Sequence, residues 1–458
     1  YSPNGQLIAV GGFHEVLIHN VDGSGLVKRL VGLAERIESV QFSPDGKLLA
    51  VSGGLPARQG ELQIWEVGSW NLKNSISVTY DTIYGAKWSP DNKHVAVGCS
   101  DNTVRAFDIK SGKQVFFNNA HSDWALDTAW SPKGDKIISV GRDMSAKGYD
   151  FTTERFIDNL TSITPKALKG GLIAVASHPK LDEVLVGGSD GTPMIFRLDR
   201  IAKRVIGDNS NLIRRYPPME GRIFAVAYSP DGKQIVAGSS LNGRGHIHIY
   251  NADVKREVSD ALKKVFGIRP ASFKPDQRKM VEDYQTEGAK LITRANYDGG
   301  IYALTYSPDG KTIAASGADG VVRLLDSKTL SLKRAFVPVP LPDNQLHKVV
   351  GISVSPSDVK VNKRYDYAQL LVTGWLASGD TIDLTREAAY KPSSDMAEVS
   401  RRGLVKPTKN GKAQVAITHA GYSASVNIQA ANLDKPYKPD YVRDVMPVVS
   451  KLGCNMGT

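Results

Sequence analysis

The apolar positions along the chain are spaced as in short strands. Ahead of a recurring turn they fall at every second place, as in Val40 and Phe42, Ala86 and Trp88, Val226 and Tyr228, Leu304 and Tyr306. Behind the turn come nearly unbroken apolar runs such as Leu48-Leu49-Ala50-Val51 and Ile235-Val236-Ala237. Alternation of period two predicts a strand with one covered face, and a short continuous run between turns predicts a strand covered on both. A second polar turn follows at Ser100-Asp101-Asn102, Ser189-Asp190-Gly191 and Ala318-Asp319-Gly320. A third strand then ends in Trp65-Glu66, Phe107-Asp108, Leu198-Asp199 or Leu325-Asp326, and a more polar fourth, such as Leu332 to Val337, closes the unit.

The first turn is written in one phrase, aromatic-Ser-Pro-Asp-Gly. It stands at Tyr1-Ser2-Pro3-Asn4-Gly5, Phe42-Ser43-Pro44-Asp45-Gly46, Trp88-Ser89-Pro90-Asp91-Asn92, Trp130-Ser131-Pro132-Lys133-Gly134, Tyr228-Ser229-Pro230-Asp231-Gly232 and Tyr306-Ser307-Pro308-Asp309-Gly310. A degenerate copy, Ser177-His178-Pro179-Lys180, fills the large gap. Pro fixes φ and Gly accepts φ > 0, so the phrase is turn chemistry. Its prolines are spaced by 41, 46, 42, 47, 51 and 78 residues. All but the last lie near the ~40 to 50 of a four-stranded blade.

These residues resemble the WD-repeat β-propeller family over about residues 1–340. The resemblance implies an all-β fold with seven blades, the first incomplete because its innermost strand is expected upstream of Tyr1. No copy carries the Trp-Asp pair, and the Gly-His element survives only as Ala120-His121. The family's Asp-His-Ser-Trp hydrogen-bond network is therefore doubtful in most blades, and packing is expected to hold them. The 78-residue spacing contains an insertion at about 254–285, where Val254, Val258, Ala261, Leu262 and Val265 predict an amphipathic helix over 254–266 with a basic outer face. It reads either as a docking element or as a decoration covering a blade edge.

Pro338-Val339-Pro340-Leu341-Pro342 breaks the rhythm and predicts a linker. Residues 347–430 return to alternating strands, among them Val415 and Ile417, then Ala424, Val426 and Ile428, which predict a small β-sandwich. Ile352-Ser353-Val354-Ser355-Pro356, Gly379-Asp380-Thr381 with Asp383-Leu384-Thr385, Ala397-Glu398-Val399, Gly403-Leu404-Val405 and Gly411-Lys412-Ala413-Gln414-Val415 resemble the group 2 bacterial immunoglobulin-like domain. That resemblance implies a spacer or adhesive module outside the cytoplasm. In residues 431–458 a polar connector leads into Tyr441 to Thr458, which resembles the start of a cytochrome-c-like segment of large secreted planctomycete-type proteins. There a second Cys followed by His completes haem attachment. Cys454 would be half of such a motif, or a chance free thiol. No haem is expected on this chain, and haem c is expected only in a longer protein. Together these resemblances imply the front part of a larger exported bacterial protein, periplasmic or extracellular.

Composition narrows the chemistry. The 43 glycines among 458 residues exceed the ordinary ~7% and fit a turn-rich chain. Two cysteines, Cys99 and Cys454, exclude a disulfide framework or a Cys-based zinc site. No apolar run approaches the ~18–20 residues of a membrane span, so the chain reads as soluble. The net charge of +11 is dispersed apart from Lys255–Lys279 and Arg401–Lys412. Neither cluster interleaves aromatics as a base-stacking surface does, so no nucleic-acid partner is expected. No P-loop, Gly-x-Ser-x-Gly elbow or His-Glu-x-x-His is present. His246 and His248 share one strand face without a third ligand and read as packing residues, the Asp-Gly pairs read as turns rather than calcium ligands, and Trp65, Trp88, Trp130 and Cys99 read as core.

No catalytic residue or metal site is expected. The candidate is a recognition face. Trp124, with His121 and Asp123, precedes an inner strand where propellers expose loops around the central channel. Arg36, Tyr80, Asp81, Arg222 and Asp298 take the equivalent place in other blades, and the turns with Arg142, Asp143 and Arg244 open on the same side. Such a mixture suits a protein or peptide ligand, or amounts to ordinary polar loops. The competing function is the substrate-binding portion of a haem-linked redox or hydrolytic enzyme whose chemistry lies downstream.

Overall fold

Each Ser-Pro-Asp-Gly phrase closes on itself. In the computed structural model the Ser43 hydroxyl donates to Asp45 (2.6 Å) and accepts the Leu48 amide (3.0 Å), while Asp45 accepts the Lys47 amide (3.1 Å) and the Gly46 amide returns to the Ser43 carbonyl. The same ring recurs at Ser229-Asp231 and Ser307-Asp309. The fourth residue sits in the left-handed region, Gly46 at φ 72° and Asn92 at φ 63°, which explains why Gly or Asn holds that place. The aromatic that opens the phrase ties neighbouring blades: the Trp88 indole donates to the Gln41 carbonyl (3.0 Å) and that of Trp130 to the Lys87 carbonyl (2.9 Å).

The structure describes residues 1–162, 168–339, 348–377 and 379–451, the side chains of Leu33, Val442, Arg443, Pro447, Ser450 and Lys451 aside. The fold is all-β, a seven-bladed propeller followed by a small β-sandwich. Blade 1 comprises Leu7–Gly11, Phe13–Asn20 and the first half of the long strand Leu26–Phe42, whose second half becomes the inner strand of blade 2. Blades 3 to 7 are four-stranded antiparallel meanders beginning at Ile83, Ala125, Leu172, Arg222 and Ile301.

One hydrophobic cluster fills each gap between blades. Val16, Ile18 and Leu30 meet Phe42 and Leu49 between blades 1 and 2, and Ala314, Val322 and Leu324 meet Ile8 between blades 7 and 1, which closes the ring. Trp65, Trp88 and Trp130 are buried in these gaps, as is Cys99, whose thiol burial pushes up.

The insertion departs from expectation. The helix begins only at Asp260 and runs to Phe266 (α1), because the Ser259 hydroxyl caps it by accepting the Leu262 amide. Val254 and Val258 precede it in irregular backbone. A second helix, Pro275–Thr286 (α2), was not anticipated. The pair buries Leu262, Val265, Phe266 and Tyr284 against Ile201 and Ala202, so it lies on the outer side of blade 5. Arg256 pins it there by a bidentate pair to Glu183 (2.7 and 2.8 Å), and the fully buried Arg214 reaches the Tyr284 and Lys255 carbonyls.

The expected linker at Pro338 to Pro342 falls partly outside the described residues. Strands from Val349–Ser355 to Tyr422–Ala430 form sheets of three, four and three strands around one core of Val359, Leu370, Val372, Leu384, Val415, Ile417, Val426 and Ile428. Asp358–Val361 joins Tyr422–Ala430 in parallel, the other pairings being antiparallel. Helical turns at Tyr441–Val445 and Met446–Lys451 end the described chain; Cys454 lies outside it.

Candidate functional site

In a meander the first and third turns share one side, and the second turn shares the other with the crossover to the next blade. The Ser-Pro-Asp-Gly turns therefore form a lower face. The candidate residues all stand on the upper one. Each of the six inner strands carries a register shift near its upper end, between Ile37 and Ser39, Tyr84 and Lys87, Ala125 and Asp127, Leu172 and Ala174, Ile223 and Ala225, Ile301 and Ala303. A bulge re-aims a side chain. At the repeat-equivalent position beside it stand Glu38, Tyr84, Leu126, Ile173, Phe224 and Tyr302. The Phe224 and Tyr302 rings meet edge to face at 5.0 Å, and Tyr302 stays 49% exposed. Sequence reading missed this layer, although aligning the phrases and counting back four places from the aromatic finds it.

The structure divides the expected recognition residues into two groups. His121 and Asp143, expected on the surface, are instead spent inside blade 4, with side chains 0% and 5% exposed. His121 Nδ1 lies 3.0 Å from the Asp143 carboxylate and its Nε2 2.6 Å from Ser139 Oγ, which is 3.1 Å from the Tyr149 hydroxyl. Asp143 also accepts from the Ser145 hydroxyl and the Ser122 amide. The network that the repeats made doubtful in most blades is complete in blade 4, with Tyr149 in place of Trp. Burial lowers the His121 pKa; burial works against the Asp143 charge, but His121, Ser145 and Lys147 outweigh it and hold the carboxyl at about 2. In blade 2 a different chain serves: the Trp65 indole donates to Gln63, whose amide donates to Glu61. Asp81 and Asp123 are also buried and accept the Thr82 and Trp124 amides.

The second group faces outward. Trp124 lies under the Arg142 guanidinium at 4.4 Å and stacks on Tyr84 at 6.2 Å, and Arg142 Nε lies 3.5 Å from Asp123. The Trp124 indole N–H is buried with no acceptor among the described residues. Tyr84 is pushed up to about 12, mainly by burial. Tyr80 is 46% exposed, and Arg36, Arg222, Arg244 and Asp298 are exposed, the last two paired across strands. Leu241 adds an exposed apolar side chain beside Arg244.

His246 and His248 are buried within blade 6, His246 on Asn296 and His248 on Tyr250; burial, then Arg294 and His246, lowers His248 to about 4. Among the described residues no three His, Cys, Asp or Glu side chains are grouped to hold a metal ion, and no helix is long and apolar enough to cross a membrane.

Comparison with known proteins agrees with the fold. Residues 58–133 match the anaphase-promoting complex subunit 4 WD40 domain, and residues 211–251 and 289–326 match the WD domain, G-beta repeat. The chain is 21% identical to protein hir-1 of Neurospora crassa, over 62% of this chain and 34% of that protein. It is also 21% identical to the transcriptional corepressor LEUNIG_HOMOLOG of Arabidopsis thaliana, over 64% and 35%. With a chromatin assembly factor 1 subunit of Gallus gallus the identity is 25%, over 31% and 29%. The chain thus spans about a third of the length of these relatives.

Proposed function

Taking the chain as a WD-repeat propeller, we propose that it is a non-catalytic interaction platform that takes a protein or peptide ligand on the upper face of blades 3 to 7. The observation that carries this reading is the group Tyr84, Trp124 and Arg142, an aromatic and guanidinium set stacked together on the upper face. Trp, Tyr and Arg are the side chains that dominate binding energy at protein interfaces. Relatives whose names describe part of an assembly factor and a corepressor support it.

The finer reading is that the sandwich is a group 2 bacterial immunoglobulin-like module, that the chain belongs to an exported bacterial protein, and that Cys454 forms part of a haem c attachment site in the full-length protein. Haem staining and mass measurement of that protein from its native host test the last point.

For the platform, partners captured by the chain are identified and titrated against Trp124→Ala and Arg142→Ala, with Lys47→Ala on the lower face as control. Affinity falls by about tenfold or more in the first two and holds in the control. Equal affinity of all four proteins for every captured partner refutes the face.

A further inference from the structure

Three places on the upper face, in blades 1 and 2, meet side chains of the sandwich. Glu35, on the crossover from blade 1 to blade 2, is buried, and its carboxylate is paired at 2.8 Å by the Arg386 guanidinium of the sandwich. His14, at the upper start of the strand Phe13–Asn20, has Nδ1 2.6 Å from the Asp383 carboxylate. The backbone carbonyl of Arg58, on the blade 2 turn, accepts the Tyr367 hydroxyl at 2.8 Å. The Arg386 guanidinium also lies 5.4 Å from the centre of the Phe13 ring, which meets His14 edge to face.

The partners are crossed. The propeller offers an acid and an imidazole, and the sandwich answers with a guanidinium and an acid. A carboxylate buried as Glu35 is would be costly without its cation.

We infer that the chain's own sandwich is the resident occupant of the upper face over blades 1 and 2, latched there by the Glu35–Arg386 and His14–Asp383 pairs. It is a fixed cover of that sector rather than a free spacer. A partner then meets only the arc of blades 3 to 7. On the sandwich, Trp375 lies on the same sheet face as Asp383, since the pairs Trp375–Thr381 and Thr373–Asp383 are two residues apart, and it remains 48% exposed. The docked module therefore adds an aromatic to the propeller side instead of sealing it.

Charge reversal in the full chain tests the latch, with amide exchange as the local reading and small-angle scattering as the global one. Glu35→Arg and Arg386→Glu singly should raise exchange at Thr381–Asp383 and Phe13–Glu15 by on the order of tenfold and enlarge the particle, and the double reversal should restore both. Protected inner strands in every variant show that the propeller is folded. If a single reversal disturbs the fold, Tyr367→Phe with a salt titration replaces it: faster exchange at the same two sites as salt rises is expected. Unchanged exchange in the single variants, no recovery in the double, or salt-independent exchange overturns the latch. The contact is internal to the chain, so this outcome is independent of whether the open arc binds a partner.

Discussion

Asp143→Asn measures what the blade 4 network contributes. The substitution keeps the size of the side chain and removes its charge, while His121, Ser145, the Ser122 amide and the Lys147 ammonium at 3.8 Å remain in place. These partners hold the carboxyl at about 2 against an ordinary 3.8. A difference of roughly two pK units corresponds to about 2–3 kcal/mol favouring the charged form in the folded state. The side chain is only 5% exposed, so solvent screens little of this. Because the folded-state pKa is depressed, the contribution is present above the ordinary carboxylate range and is lost as pH falls from about 4 toward 2. His121 titrates in the same sense: burial lowers its pKa, so acid below about 6.5 favours the unfolded chain in both proteins. Urea unfolding followed by tryptophan fluorescence should place Asp143→Asn about 2 kcal/mol below the parent chain at pH 7, with the gap narrowing at pH 3. A gap under about 0.5 kcal/mol at pH 7, or one that stays constant down to pH 3, would refute the reasoning.

Asn92 holds the left-handed place that Gly fills in most other copies of the phrase, and its side chain accepts the Asp45 amide at 2.9 Å; Asn92→Gly relieves the backbone but loses that bond and should cost no more than about 1 kcal/mol, whereas Asn92→Ala loses the bond and adds the left-handed strain and should cost about 1–2 kcal/mol more, read as a shift of the urea midpoint. Arg256→Ala leaves the Glu183 carboxylate buried without its bidentate partner, which should cost about 3–5 kcal/mol and release α1 and α2, seen as loss of amide protection over Asp260–Phe266 and Pro275–Thr286. If those helices stay protected, the anchor has been misassigned.

Much of the propeller was legible because each blade writes its own turn. Ser and Asp of the phrase bond within five residues of one another, and Gly46 or Asn92 is required by a local φ. Such signals need no distant contact. The upper face was harder to read. His121 and Asp143 sit in polar loops and look like surface, and only the arrival of Ser139 and Tyr149 from neighbouring strands turns them inward. The helix expected from Val254 starts at Asp260 because Ser259 caps it and the preceding segment is held instead by Arg256 and Arg214. α2 was invisible to apolar spacing, since among its residues only Tyr284 and Gln285 are buried.

The sequence by itself determined that this protein is a ring of repeated antiparallel units followed by a second all-β module, since turn chemistry and two-residue alternation are local properties. Tertiary structure decided which polar loops face outward and where the module rests. Those outcomes depend on pairs far apart in the chain, such as Glu35 with Arg386 and His14 with Asp383, whose polar groups each have many prospective partners until the fold brings one within reach.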